Sequence, residues 1–249
     1  TGVLNWKEEA LIRFASTTIC GDSKALERLS PRLHQALREI TGDEGACLEQ
    51  FGIFNAPRSV LVHGPLWLDM PGGRIDFGVL AGPVAVSAVD LEVALKVGCG
   101  GNRCLTVENE GVFRELAKFG TGLLLVHTSF PGAATRLLLE RLPRDLDCLH
   151  FGDSDPAGFD ILRDLREKTG RTFRPVCMEF RPVAGSPCLT EGEVKSIERL
   201  LATPLMADVH EPLRAMLENG SKGEFEQESI PLARVIECIG RPDKGAIID

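Results

Sequence analysis

Between residues 103 and 180 the sequence alternates short runs that are apolar on both faces with short amphipathic stretches. No other feature limits the fold as much. The apolar runs are 103–108, 123–128, 147–152 and 173–180, and the helical stretches between them are 111–119, 133–142 and 157–168. A strand apolar on both faces has to be covered on both, which predicts an α/β parallel sheet flanked by helices. Right-handed crossovers then gather the strand C-termini on one edge, where open sheets of this class bind ligands. Glu108, Thr128 and Asp153 are such strand ends.

The flanking segments read differently. Helical spacing over 6–19 is followed by a break at Gly21-Asp22-Ser23, a short helix over 24–29, and a second start at Ser30-Pro31 that runs to residue 40. Helical character resumes over 46–51. From Arg58 the period becomes two: a strand-like run over 60–68 with an internal turn, strands at 74–80 and 84–88, and a short helix over 90–96. Residues 1–97 thus form an N-terminal α+β region of helices plus antiparallel strands. Residues 98–182 form the sheet core and 183–249 a C-terminal helical extension. In that extension Thr190-Glu191-Gly192-Glu193 is a capping box, further helices cover 210–217 and 224–238, and the tail from Arg241 frays.

Composition excludes several classes. With 43% hydrophobic and 26% charged residues among 249, the chain is an ordinary folded protein. No apolar run reaches bilayer length and no signal peptide opens the chain, so the expectation is a cytoplasmic protein without a membrane. The chain starts at Thr1, not Met, and is read as a fragment or a processed chain. Eight cysteines without a Cys-x-x-Cys pair read as reduced thiols. A net charge of -8 excludes nonspecific attraction to DNA by the chain as a whole. There is no tyrosine, so no tyrosyl nucleophile can come from this chain.

The chemistry-bearing candidates cluster at the strand ends. Asp153-x-Asp155 beside a helix start is either a strand-end turn followed by an N-cap or, with Glu108 across the edge, a three-carboxylate site for a hard cation. Glu110, past the strand, reads as solvated. The segment Thr128-Ser129-Phe130-Pro131-Gly132 precedes a helix and could cradle a phosphate through Ser129 and Gly132, with Arg136 and His127 nearby; an ordinary strand-to-helix loop fits equally. Arg163, Arg166, Lys168, Arg171, Arg174 and Arg181 form either a solvated face or one bank of a DNA channel. Glu226-Gln227-Glu228 reads as surface.

Thr106-Val107-Glu108-Asn109-Glu110-Gly111-Val112-Phe113, Phe130-Pro131-Gly132-Ala133-Ala134-Thr135-Arg136 and Phe151-Gly152-Asp153-Ser154-Asp155-Pro156-Ala157-Gly158 together resemble the toprim domain of topoisomerases, primases and some nucleases. The resemblance is closer to the D subunit of the Wadjet plasmid-defence system than to the A subunit of type IIB topoisomerases. It also takes in Gly21-Asp22-Ser23-Lys24 and Phe225-Glu226-Gln227-Glu228-Ser229-Ile230. It implies Glu108 as general base or metal ligand, Asp153 and Asp155 as ligands of one or two Mg²⁺ or Mn²⁺ ions, and a DNA endonuclease driven by metal-activated water. The implied partners are DNA, an SMC/kleisin-type ATPase complex and a second copy in a homodimer. Two alternatives stand beside this: a catalytically silent scaffold or DNA-binding subunit, and a topoisomerase-like subunit whose tyrosine lies outside the chain.

Overall fold

The structure is a computed structural model that describes residues 2–8, 10–41, 47–54 and 58–240. The chain divides into two compact units, Thr1–Arg58 and Ser59–Asp249. In the smaller unit, β1 (Ala10–Leu11) leads into α1 (Ile12–Cys20) and α2 (Ala25–Thr41), and β2 (Ile53–Phe54) pairs in parallel with β1. Gly21 ends α1 in the left-handed conformation, at φ 70°, and its amide donates to the Thr17 carbonyl. Val3, Ile12, Ala15, Leu26, Leu37, Leu48 and Ile53 form the core.

Ser30-Pro31 does not start a helix. Proline lies inside the continuous α2, where it forgoes one backbone hydrogen bond, while Leu26 and Leu37, on either side of it, are buried in one core. Of the helix expected over 46–51, a 3₁₀ turn at Leu48–Phe51 is present, and residue 46 lies outside the described residues, as does the tail from Arg241.

The larger unit begins with β3 (Ser59–His63), β4 (Leu66–Met70), β5 (Gly73–Asp76), β6 (Val84–Ser87), α3 (Ala88–Val93) and β7 (Lys96–Cys99). It continues with β8 (Arg103–Val107), α4 (Glu110–Ala117), β9 (Leu124–His127), α5 (Ala133–Arg141), β10 (Asp147–Phe151), α6 (Pro156–Thr169) and β11 (Phe173–Pro175). Last come α7 (Glu191–Leu201), α8 (His210–Asn219) and α9 (Leu232–Ile239). A six-stranded sheet has the order β11-β10-β8-β9-β3-β6. β8 to β11 run parallel, as the alternation predicts, and β3 runs antiparallel to both of its neighbours. β5-β4-β7 make a separate antiparallel sheet.

The 60–68 run is therefore split between two sheets at Gly64, whose φ is 108°. β3 and β6 share the main sheet with the strands after residue 98, so the seam expected at 97/98 lies inside the larger unit. The strand expected over 173–180 ends at Pro175, and the last helix starts at Leu232 instead of 224.

Both faces of the sheet are covered. Cys104, Leu124, Val126 and Cys148 pack with Leu138, Phe159 and Leu162 of α5 and α6. The alternate residues Leu105, Val107, Leu125, Leu149 and Phe151 pack with Phe113 and Leu116 of α4 and with Val235 of α9. Phe113, Phe151 and Phe159 are fully buried, each contributing about 1.5–3 kcal/mol of apolar transfer. Among the described residues, no helix is long and apolar enough to cross a membrane.

Candidate functional site at the acidic sheet edge

The register brings the expected acids together. Val107 pairs with Phe151, so the residues that follow leave adjacent parallel strands at the same edge. The Glu108 amide donates to the Phe151 carbonyl at 3.1 Å, and the Thr128 amide to the Val107 carbonyl at 2.9 Å. The Glu108 carboxylate turns back across the edge, where Oε2 accepts from the Asp153 amide at 3.1 Å. Gly152 makes this crossing possible: a Cβ there would lie 2.6 Å from His150 Nε2 and 3.1 Å from Glu108 Oε2.

Burial raises the Glu108 carboxyl to about 7, with the Asp153 and Asp155 charges pushing the same way and the Asp153 amide opposing them. Asp153 is raised too, chiefly by burial and against the pull of the Gln227 amide, which donates to Oδ1 at 3.0 Å. Asp155 has another role. It is the N-cap of α6, its Oδ1 accepting from the Gly158 amide at 2.9 Å, and its Oδ2 lies 3.7 Å from Lys222 Nζ.

Of Glu226-Gln227-Glu228, expected at the surface, the two glutamates are exposed but the glutamine between them is not. Gln227 is fully buried. Its Nε2 donates to the Phe151 carbonyl at 2.6 Å, and its Oε1 accepts from the Asn109 amide at 2.8 Å. One side chain thus joins the ends of β8 and β10, while its own amide holds Asp153. Sequence reasoning missed it because a glutamine between two glutamates in a polar stretch has the look of solvent; the one available signal was that the toprim-like resemblance included these residues.

Beneath the edge, His150 is fully buried, and burial lowers it to about 3, helped by the Arg166 charge. Its Nδ1 meets Thr106 Oγ1 at 2.8 Å, and that hydroxyl donates to the Leu149 carbonyl at 3.1 Å. The other ring nitrogen, Nε2, has no hydrogen-bond partner among the described residues.

The remaining candidates are placed as follows. His127 ends β9, stacks edge-on to Phe113 at 5.9 Å between ring centroids, and is lowered mainly by burial. Ser129 and Gly132 lie in the loop before α5, whose Gly132 N-cap offers no side-chain cap. Arg136 is exposed and 3.6 Å from Glu140. Arg163 pairs with Asp160 at 2.6 Å and with Glu167. Arg166 is buried, bonding the Phe173 and Leu205 carbonyls and both carboxylate oxygens of Asp208. Neither Arg163 nor Arg166 presents a free guanidinium to a duplex.

Among the described residues, no three His, Cys, Asp or Glu side chains come close enough together to hold a metal ion. The carboxylates do not fit the expected three-ligand site in this arrangement. Glu108 and Asp153 accept from main-chain amides, and Asp155 caps a helix and faces an ammonium.

Helices on both faces of a sheet with four parallel strands, and acids leaving two adjacent ones at one edge, are consistent with a toprim-like fold. The particular family follows from the sequence: residues 78–239 match the family described as Wadjet protein JetD, C-terminal. The chain belongs to that family. No curated protein matches it.

Proposed function

We propose that the chain is a DNA-associated toprim subunit of a Wadjet-type, SMC-like complex, working in assembly or DNA binding with its acidic edge closed. Family membership over residues 78–239 supports the partner. The observation that carries the silent reading is the edge itself, where each acid is held by this chain's own groups. The charge of -8 fits a subunit that reaches DNA through a partner.

A second reading, a divalent-metal-dependent endonuclease, is favoured by one feature. Glu108 and Asp153 lie half-buried side by side at the sheet edge, and Glu108 is raised to about 7 with no basic side chain among the groups that shift it. Such a pair accommodates a cation better than it accommodates two charges alone.

The test is reconstitution with the SMC-like subunits. The silent reading expects co-elution, retention of plasmid by the complex, and no nicking with Mg²⁺ or Mn²⁺. Nicking that disappears in Glu108→Gln and Asp153→Asn replaces it with the nuclease. Failure to join the complex or retain plasmid overturns the first reading.

A further inference from the structure

Three consecutive residues of the acidic loop are tied to one segment from the C-terminal part of the chain. Asp153 accepts from the Gln227 amide at 3.0 Å. The Ser154 amide donates to the Phe225 carbonyl at 2.8 Å. Asp155 faces the Lys222 ammonium, which also holds Glu193 at 2.6 Å and lies 4.9 Å from the centre of the Phe225 ring.

Nothing local to residues 153–155 demands this arrangement. The α6 N-terminus is already capped by Asp155 Oδ1, and Lys222 approaches the other oxygen. The Lys222 side chain is 18% exposed, so its charge is set against the aspartate at some desolvation cost instead of extending into water.

The segment is built to stay there. Gly223 sits at φ 72°, and a Cβ on it would run into the Arg181 carbonyl. The Glu224 amide donates to that same carbonyl at 2.7 Å, and Ser186 Oγ donates to the Gly223 carbonyl at 2.9 Å. Glu193, the lysine's other partner, is fixed by the capping box of α7.

We propose that segment 222–228 is a strap that closes the acidic edge to divalent cations, with the Lys222 ammonium and the Gln227 amide in the places where Asp155 and Asp153 would otherwise meet one. A hard cation gathers carboxylate oxygens about itself; here one oxygen of each aspartate is turned toward a donor of the strap. The edge therefore has two states, strapped and cation-bound, and each lowers the population of the other. The inference rests on the toprim-like reading of this edge, not on whether the complex cuts DNA.

Calorimetric titration of the whole chain with MnCl₂ tests it. Lys222→Ala is expected to bind Mn²⁺ at least tenfold more tightly than the wild type. The gain should vanish in Lys222→Ala/Asp155→Asn and be absent in Lys222→Arg, which keeps the charge. Equal affinity in wild type and Lys222→Ala, or no binding by either, overturns the strap. Hydrogen exchange on the unmutated chain gives a second reading if Lys222→Ala does not fold. Saturating Mn²⁺ should speed exchange of the Gln227 and Ser154 amides, and unchanged protection overturns the proposal. Loss of plasmid retention with these results intact would remove the DNA-associated reading and leave the strap standing.

Discussion

Arg166 on α6 and the acids at the sheet edge are charged groups of the same unit, and the fold treats them in opposite ways. Arg166 is buried among two carbonyls and a bidentate aspartate, and Arg171 likewise bonds the Leu142 and Pro143 carbonyls from a buried position. Glu108 and Asp153 are only half-buried, yet they receive main-chain amides and no guanidinium. A planar fork with five donors can satisfy several acceptors at once and carry its charge inward. Glu108 keeps a raised pKa because burial and the neighbouring aspartate charges outweigh the one amide it accepts from. Charge counted along a sequence is therefore a poor guide to charge available to a ligand.

The largest effect that could break this contrast is at Arg166. Arg166→Ala is expected to destabilise the chain by about 3 kcal/mol or more in urea unfolding, because it leaves two buried carbonyls unpaired. A loss of plasmid retention at unchanged stability would instead return Arg166 to a DNA-binding bank.

Glu108→Gln comes next and is pH-dependent. The folded carboxyl titrates at about 7 against 4.5 for the free side chain, so the folded state binds the extra proton between those values. The contribution of Glu108 to stability is fully present below pH 4.5 and is lost as pH rises through 7. Allowing for the solvent that reaches a half-buried group, Glu108→Gln should stabilise by about 2 kcal/mol at pH 8 and by almost nothing at pH 4. A gain independent of pH would show that the carboxylate is not strained.

Gly158→Ala should cost about 1 kcal/mol in the same unfolding measurement. Its Cβ would collide with the Asp153 carbonyl, a steric cost of about 1–3 kcal/mol partly offset by better helix propensity. Neutral behaviour would mean that the acidic loop moves aside easily.

Arg136→Ala is the smallest. Its exposed pairing with Glu140 is worth at most about 0.5 kcal/mol, so thermal melting should not shift, and any fall in plasmid retention would mark Arg136 as a DNA contact.

Much of this could be read from local pattern. The α/β alternation placed β8 to β11 in parallel, Thr190 and Glu193 form the capping box their spacing implies, and Asp155 caps α6 as its place before Pro156 suggests. These outcomes depend on neighbours within a few residues. What escaped depends on distant partners. β3 joins the main sheet antiparallel although its sequence resembles one arm of a hairpin with β4, because its partners there, β6 and β9, are not its neighbours in sequence. Lys222 and Gln227 carry no periodicity that points to Asp155 and Asp153, and Pro31 signals a helix start that the packing of Leu26 and Leu37 overrides.

Gln227 also has a consequence for the order in which the molecule can form. It bonds Asn109, 118 residues earlier, and Phe151, 76 residues earlier. Contacts of such separation pay their loop-closure entropy before they return any stabilisation. A chain made from its N-terminus can pair β8, β9 and β10 long before residue 227 exists. Until then the ends of β8 and β10 are joined by the Glu108 amide without the glutamine, so the acidic edge is expected to mature late and to fray early.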